Sequence, residues 1–216
     1  MNQTFVEHPL KAKSRGLNGL DLKLLDYLER RDGFFIEAGG NDGVNQSNSF
    51  ILENEFGWKG MLIEPVPSLA EKCRQNRPRC IVESSALVAS DYSGKSVEMR
   101  YCNLMSLVKG AMGSETADDE HIRKGCECEK IESFTQIVPA ATLSSFIDKN
   151  RINHIDLLSL DVEGYEAQAL QGLDFDRHAP DFILVEARFL KDVDRVLLPH
   201  YVKVATLSYH DVLTAE

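Results

Sequence analysis

Phe34-Phe35-Ile36-Glu37-Ala38 runs directly into Gly39-Gly40-Asn41-Asp42-Gly43, and this junction decides the fold. The first five residues form a short apolar run between Gly33 and a glycine-rich turn, which reads as a buried strand. Glycine allows the chain to turn with positive φ and lets other groups approach the backbone closely. The next stretch, about Ser47 to Phe56, reads as a helix whose N-terminal N–H groups would point into the crevice. Strand, turn and helix then recur outward in both directions. Upstream, Asp21 to Arg31 places Leu22, Leu25 and Leu28 on one helical face. Downstream, Gly60–Glu64 and Cys80–Glu83 read as strands flanking a helix from Ser68, a residue able to cap it, to Asn76. Ser96–Tyr101 reads as an additional strand. Helices are expected over Thr142–Asn150, Gly164–Gly172 and Phe189–Leu198. Strands are expected over Ile155–Asp161, Phe182–Glu186, Tyr201–Leu207 and Val212–Ala215. Near-continuous apolar strands alternating with helices predict an α/β fold, with a mostly parallel, Rossmann-like sheet covered by helices on both faces.

Such sheets bind ligands beyond the carboxyl ends of their strands, at the point where strand order reverses. The residues at those ends are Glu37, Glu64, Asp161 and Glu186. An acid adjoining a buried strand is costly without a partner, so four of them point to a site. The first turn is not the G-x-G-x-x-G dinucleotide fingerprint: it is longer, and it carries Glu37 and Asp42, which would repel a pyrophosphate. Glu64 follows at the spacing of an acid that accepts ribose hydroxyls. A nucleoside without phosphates and with a cationic end fits this pattern, S-adenosylmethionine being the example.

The chain has 216 residues and a net charge of −10, with 43% hydrophobic and 27% charged residues. That length suits one domain, residues 1–216, with 1–32 as an N-terminal helical segment. An acidic chain is a poor partner for nucleic acid, because phosphate neutralisation needs clustered Lys and Arg. No apolar run reaches the length of a membrane span, and the residues from Met1 to His8 lack a signal-peptide pattern. The five cysteines, an odd and sparse set, suit reduced thiols and a cytoplasmic location. From about 103 to 134 the rhythm breaks, and Glu115–Glu132 carries seven acids against three bases. This stretch reads as an insertion, either a polar loop or a lid over the substrate. Its Leu104, Met105, Leu107, Val108 and Met112 would be the lid's inner face or a contact in a homo-oligomer. His121, Cys126 and Cys128 lack a fourth ligand and the usual Cys-x₂-Cys spacing for zinc.

Gly57-Trp58-Lys59-Gly60-Met61-Leu62-Ile63-Glu64-Pro65 closely resembles the FkbM family of S-adenosylmethionine-dependent methyltransferases. So do Leu158-Ser159-Leu160-Asp161-Val162-Glu163-Gly164-Tyr165-Glu166, with Leu170 and Gly172 after it, and Val138-Pro139-Ala140-Ala141-Thr142-Leu143 before it. The resemblance spans about Phe34 to Ala187. Many family members carry Lys where this chain has Ser159, two residues before Asp161. The resemblance implies a class I methyltransferase sheet of seven strands and O-methylation of a small hydroxylated metabolite, a sugar or glycoside foremost. It implies that Glu37, Gly39, Asn41 and Gly43 line the methionine and ribose side, that Glu64 holds the ribose, and that Ser84 and Ser85 meet the adenine or cap their turn.

Three roles compete at Asp161-Val162-Glu163-Gly164. The acids cap the following helix; or Asp161 holds the methionine ammonium or orients the substrate; or Asp161, Glu163 and Glu186 bind a divalent cation such as Mg²⁺. Methyl transfer to a hydroxyl also needs a proton acceptor. Among the six histidines, His154, His178 and His200 precede strands and fall at the far end of the sheet, and His8 is terminal. His210, in the turn between the last two strands, is the candidate base. N-methylation by the same fold and a non-catalytic cofactor-binding scaffold are the alternative functions.

Overall fold

The computed structural model describes residues 8–28 and 31–215. The pattern of residues 1–7 and the expected end of the first helix around residues 29–30 lie outside the described residues. Two single 3₁₀ turns, Lys11–Lys13 and Leu17–Gly19, lead into α1 (Leu20–Leu28), which buries Leu24, Leu25 and Leu28. The quoted junction forms β1 (Phe34–Ala38), the turn, and α2 (Phe50–Phe56). β2 (Lys59–Ile63), α3 (Pro67–Asn76) and β3 (Ile81–Glu83) follow. α3 starts on Pro67, whose fixed φ suits the first helical turn; Val66 precedes it without a side-chain cap, so Ser68 does not take the capping position.

The chain then builds β4 (Ala86–Leu87), β5 (Ser96–Tyr101), β6 (Leu107–Val108), α4 (Glu115–Glu129) and β7 (Phe134–Ala141). α5 (Leu143–Asn150), β8 (Leu157–Leu160), α6 (Glu166–Leu170), α7 (Phe175–His178) and β9 (Phe182–Glu186) restore the alternation. α8 (Leu190–Leu197), β10 (Val202–Thr206) and β11 (Asp211–Ala215) complete it. Among the described residues, no helix is long and apolar enough to cross a membrane.

The main sheet has seven strands in the order β10-β11-β9-β8-β1-β2-β3. β3, β2, β1, β8 and β9 are parallel, and β11 runs antiparallel to β9 and to β10. Alternate strand residues feed two cores. Phe35, Leu62, Leu157 and Leu184 pack with Leu24, Leu28, Ile51 and Leu52 of α1 and α2. Ile36, Met61, Leu158 and Ile183 pack with Phe146, Leu170, Val193 and Leu197 of α5, α6 and α8. Both faces are therefore covered, and the order reverses between β1 and β8. There the Gly39 turn lies so close to its neighbour that a Cβ on Gly39, at φ +85°, would sit 1.8 Å from the Asp161 carbonyl oxygen. Only glycine brings the first turn against the fourth parallel strand.

A second sheet, β4-β7-β5-β6, stands beside the first. β7 pairs with β5 along its length, from Ser96↔Pro139 to Tyr101↔Phe134. Its Pro139 hides it from a sequence reading, since proline cannot donate to a ladder. Within 103–134, the polar run that reads as a loop contains a fifteen-residue helix, α4. Ser114 caps it by accepting from the Ala117 N–H, and Arg123–Glu127 and Lys124–Glu120 pairs lie along its surface.

Candidate active site

A cavity of about 300 Å³ opens over the carboxyl ends of β1, β2 and β8, roofed by the second sheet and the segment that leads to α4. Its floor is the Gly39–Asn41 turn, with Glu64 and Pro65 beside it. Ala86, Leu87, Met99 and Val108 supply an apolar wall, and Asp161, Glu163, Glu186 and Arg188 form the opposite end. Among the described residues, five acids and one base line it: Glu64, Glu129, Asp161, Glu163 and Glu186 against Arg188.

The turn is tied from beneath. The Glu37 carboxylate accepts from the Ser47 hydroxyl at 2.7 Å, the Ser49 hydroxyl at 2.5 Å and the Asn48 N–H at 2.7 Å. Arg77, fully buried, ion-pairs with Glu53 and donates to the Gly43 carbonyl at 2.9 Å. A buried charge is tolerated only with partners of this kind. Glu37 and Gly43 therefore shape the turn from below and are not among the residues lining the cavity. Asp42 is likewise engaged within the loop, accepting from the Val44 and Asn45 N–H groups at 2.9 and 2.8 Å.

Glu64 is 5% exposed and faces the cavity. One carboxylate oxygen accepts the Asn41 N–H and the other the Val66 N–H, each at 2.8 Å. These bonds fix its orientation and leave acceptor capacity toward the cavity. Burial pushes its pKa up to about 7, against the pull of those two N–H groups. Asn41 also donates from its side chain to Asn103 at 3.2 Å, so the turn touches the roof.

At the other end, Asp161 is the exposed member of three acids and opens to the cavity, with Glu163 and Glu186 beside it. Burial, and next Glu186 and Glu163 beside it, hold its pKa well above the usual carboxylate range. Burial also raises Glu163, to about 8, although Arg188 opposes the shift. Arg188 lies 2.6 Å from Glu163 and 3.6 Å from Glu186, as the cation among these acids. His121 of α4 reaches Glu163 at 3.4 Å and the Met105 carbonyl at 3.1 Å. Neither Asp161 nor Glu163 caps the following helix, which starts after Tyr165 without a side-chain cap; its first residue, Glu166, instead accepts the Val162 and Gly164 N–H groups of the loop at 3.2 and 2.8 Å.

The structure thus brings Gly39, Asn41, Glu64, Asp161, Glu163 and Glu186 to one cavity. Ser84 and Ser85 are outside the lining; the Ser85 hydroxyl donates to the Pro139 carbonyl at 3.0 Å and so ties β7 to the turn, while Ala86 and Leu87 face inward. His210 sits at the correct end of the sheet but outside the lining, its carbonyl accepting from the Ala187 N–H at 2.9 Å. Arg188 went unread in the sequence. Its signal was the two-residue strand period, which carries the direction of Glu186 past the end of β9 to position 188. The roof residues Asn103 and Met99 had no local signal, since only pairing of β5 with β7 brings them over the turn.

A family model described as the methyltransferase FkbM domain matches residues 37–209. No curated protein matches the chain. Among solved structures, the chain is similar to a TehB-like SAM-dependent methyltransferase from Corynebacterium glutamicum, with 12% identity, 91% of this chain and 85% of that chain covered, and a TM-score of 0.44. It is similar to a precorrin-6y C5,15-methyltransferase from Geobacter metallireducens, with 10% identity, coverage of 91% and 86%, and a TM-score of 0.46. For a methyltransferase from Pyrococcus furiosus the identity is 14%, the coverage 97% and 86%, and the TM-score 0.42. At scores this low the structural likenesses carry no argument, and the family match stands by itself.

Proposed function

The chain belongs to the FkbM methyltransferase family and is an S-adenosylmethionine-dependent methyltransferase, and from that premise we propose that it methylates a hydroxyl oxygen of a small hydroxylated metabolite, a sugar or glycoside. The observation that supports this reading is the lining of one cavity. Five acids and, among the described residues, a single, already paired arginine suit a cationic, phosphate-free cofactor and disfavour an acceptor bearing phosphate or carboxylate. S-adenosylmethionine supplies, when bound, an electrophilic methyl group on a sulfonium.

The protein's part is to hold and to take a proton. With the cofactor bound, Glu64 would accept the ribose hydroxyls, the Gly39–Asn41 backbone would receive the methionine side, and Ala86, Leu87, Met99 and Val108 would enclose the adenine. Asp161, open to the cavity, would take the proton from the acceptor hydroxyl. His210, outside the lining, is the competing base, and Asp161→Asn and His210→Ala separate the two.

Asp161, Glu163 and Glu186 place carboxylate oxygens within 4.8 Å of one another, close enough for one ion. The Arg188 guanidinium already supplies positive charge there, so the reading taken is metal-free transfer. EDTA is expected to leave turnover unchanged; loss on chelation, restored by Mg²⁺, would return the ion to these acids.

The test is incubation with S-adenosylmethionine and a panel of neutral glycosides, sugar phosphates, uronic acids and amines. Release of S-adenosylhomocysteine with an O-methylated neutral sugar is expected. Transfer to amines alone would replace the reading with N-methylation, and cofactor binding without transfer to any acceptor would favour a scaffold.

A further inference from the structure

The thiols of Cys102 and Cys126 lie 3.4 Å apart, and neither is used in the site described above. Cys102 ends the connection from β5 to the 3₁₀ turn Asn103–Met105, and Cys126 is on α4. Gly125 allows the contact: a Cβ there would fall 2.7 Å from the Cys102 sulfur. A side chain at position 125 would hold the helix away. The two thiols differ in access. Cys102 is fully buried, whereas Cys126 is half-buried and lines a surface groove with Arg100, Asp119 and Arg123.

We infer that Cys102 and Cys126 form an oxidation site, closed to a disulfide by a peroxide, that couples the redox state of the roof to cofactor affinity. The accessible Cys126 reacts first. Its sulfur attacks one peroxide oxygen, the O–O bond breaks, and a sulfenic acid and water are formed. The Cys102 sulfur then attacks the Cys126 sulfur, the S–O bond breaks, and water leaves with the Cys102 proton. Two thiols and one hydrogen peroxide thus give one disulfide and two waters; the sulfurs lose two electrons and the peroxide gains them. Burial pushes the Cys102 thiol up to about 12, which suits it to the second role rather than the first.

The consequence follows from what adjoins Cys102. A disulfide requires a sulfur separation of about 2.05 Å, so the Cys102 segment and α4 must draw together by more than an ångström. Asn103, the next residue, bonds Glu129 of α4 at 2.7 Å and accepts from Asn41 of the cofactor turn at 3.2 Å. Asn103 to Ser106 also line the cavity. Drawing Asn103 toward α4 lengthens the already long Asn41 contact and opens the roof. Oxidation therefore weakens binding of the cofactor.

The experiment uses the full chain treated with hydrogen peroxide, then with dithiothreitol. Expected are loss of two thiols per chain, a Cys102–Cys126 crosslinked peptide, and S-adenosylmethionine affinity weaker by about tenfold, in the usual range of coupling between sites. Dithiothreitol restores all three. Cys126→Ser binds the cofactor like the reduced wild type and does not respond to peroxide, while Cys128→Ser responds in full. A crosslink to Cys128 instead, an intact response in Cys126→Ser, or unchanged affinity on crosslinking would overturn the inference. These readouts need no methyl acceptor, so they are independent of the proposed reaction.

Discussion

Glu64 shows how one side chain serves both fold and site. Its two oxygens hold Asn41 and Val66, which keeps the first turn and the end of β2 together. Replacing it with Gln keeps the size but removes a charged acceptor, and hydrogen bonds to charged groups contribute about 1.5–3 kcal/mol. Glu64→Gln is expected to weaken S-adenosylmethionine binding by about tenfold or more in calorimetry. Its pKa of about 7 gives a sign as well. The ionised carboxylate accepts ribose hydroxyls, so affinity should rise with pH up to about 7 and level off above it; the Gln variant should lose that slope. Asp161→Asn should cut turnover by about a hundredfold or more, the usual scale for a lost proton acceptor, with cofactor affinity changed far less. His210→Ala should leave turnover within a few-fold of the wild type, and abolished turnover would move the base to His210. Glu64 and Asp161 were legible because each ends an apolar run. Arg77 and Arg188 were not, since their value depends on which acids face them.

At the scale of elements, β1 and β9 coincide with the apolar runs read in the sequence, because strands buried between helices leave little room for polar residues. α4 and β7 were missed for opposite reasons. α4 buries few apolar side chains, and its order comes from capping, surface ion pairs and Asp118, which accepts the Gly110 and Met112 N–H groups at 2.5 and 2.9 Å. β7 has a proline inside its run and exists because β5 pairs with it. The Ser114 cap makes α4 testable. Ser114→Ala should cost about 1 kcal/mol and lower the Tm by about 2–4 °C for a chain of this size. An unchanged Tm would mean that the cap is replaced by water.

At the scale of the molecule, three buried acids, two lining the cavity and one at the start of α6, set the response to pH. Glu64 and Glu166 lie at about 7 and Glu163 at about 8, all raised chiefly by burial. Between the ordinary carboxylate pKa and these values the folded chain binds more protons than the unfolded one. Stability from these groups is therefore full below about pH 4.5 and falls as pH rises to about 8. Thermal unfolding of the ligand-free protein should show a lower Tm at about pH 8.5 than at about pH 6, and a saturating cationic cofactor should raise it. A Tm that rises across this range would mean that these acids are ionised without penalty. The alternating architecture and the acids at the strand ends were legible along the chain, because hydrophobic periodicity and turn chemistry are local. That Glu37 supports the turn from below, that Arg188 joins Asp161, Glu163 and Glu186, and that the stretch after Cys102 roofs the cavity came from the folded arrangement alone. Those outcomes depend on strand order and on pairing between distant segments, which no local pattern encodes.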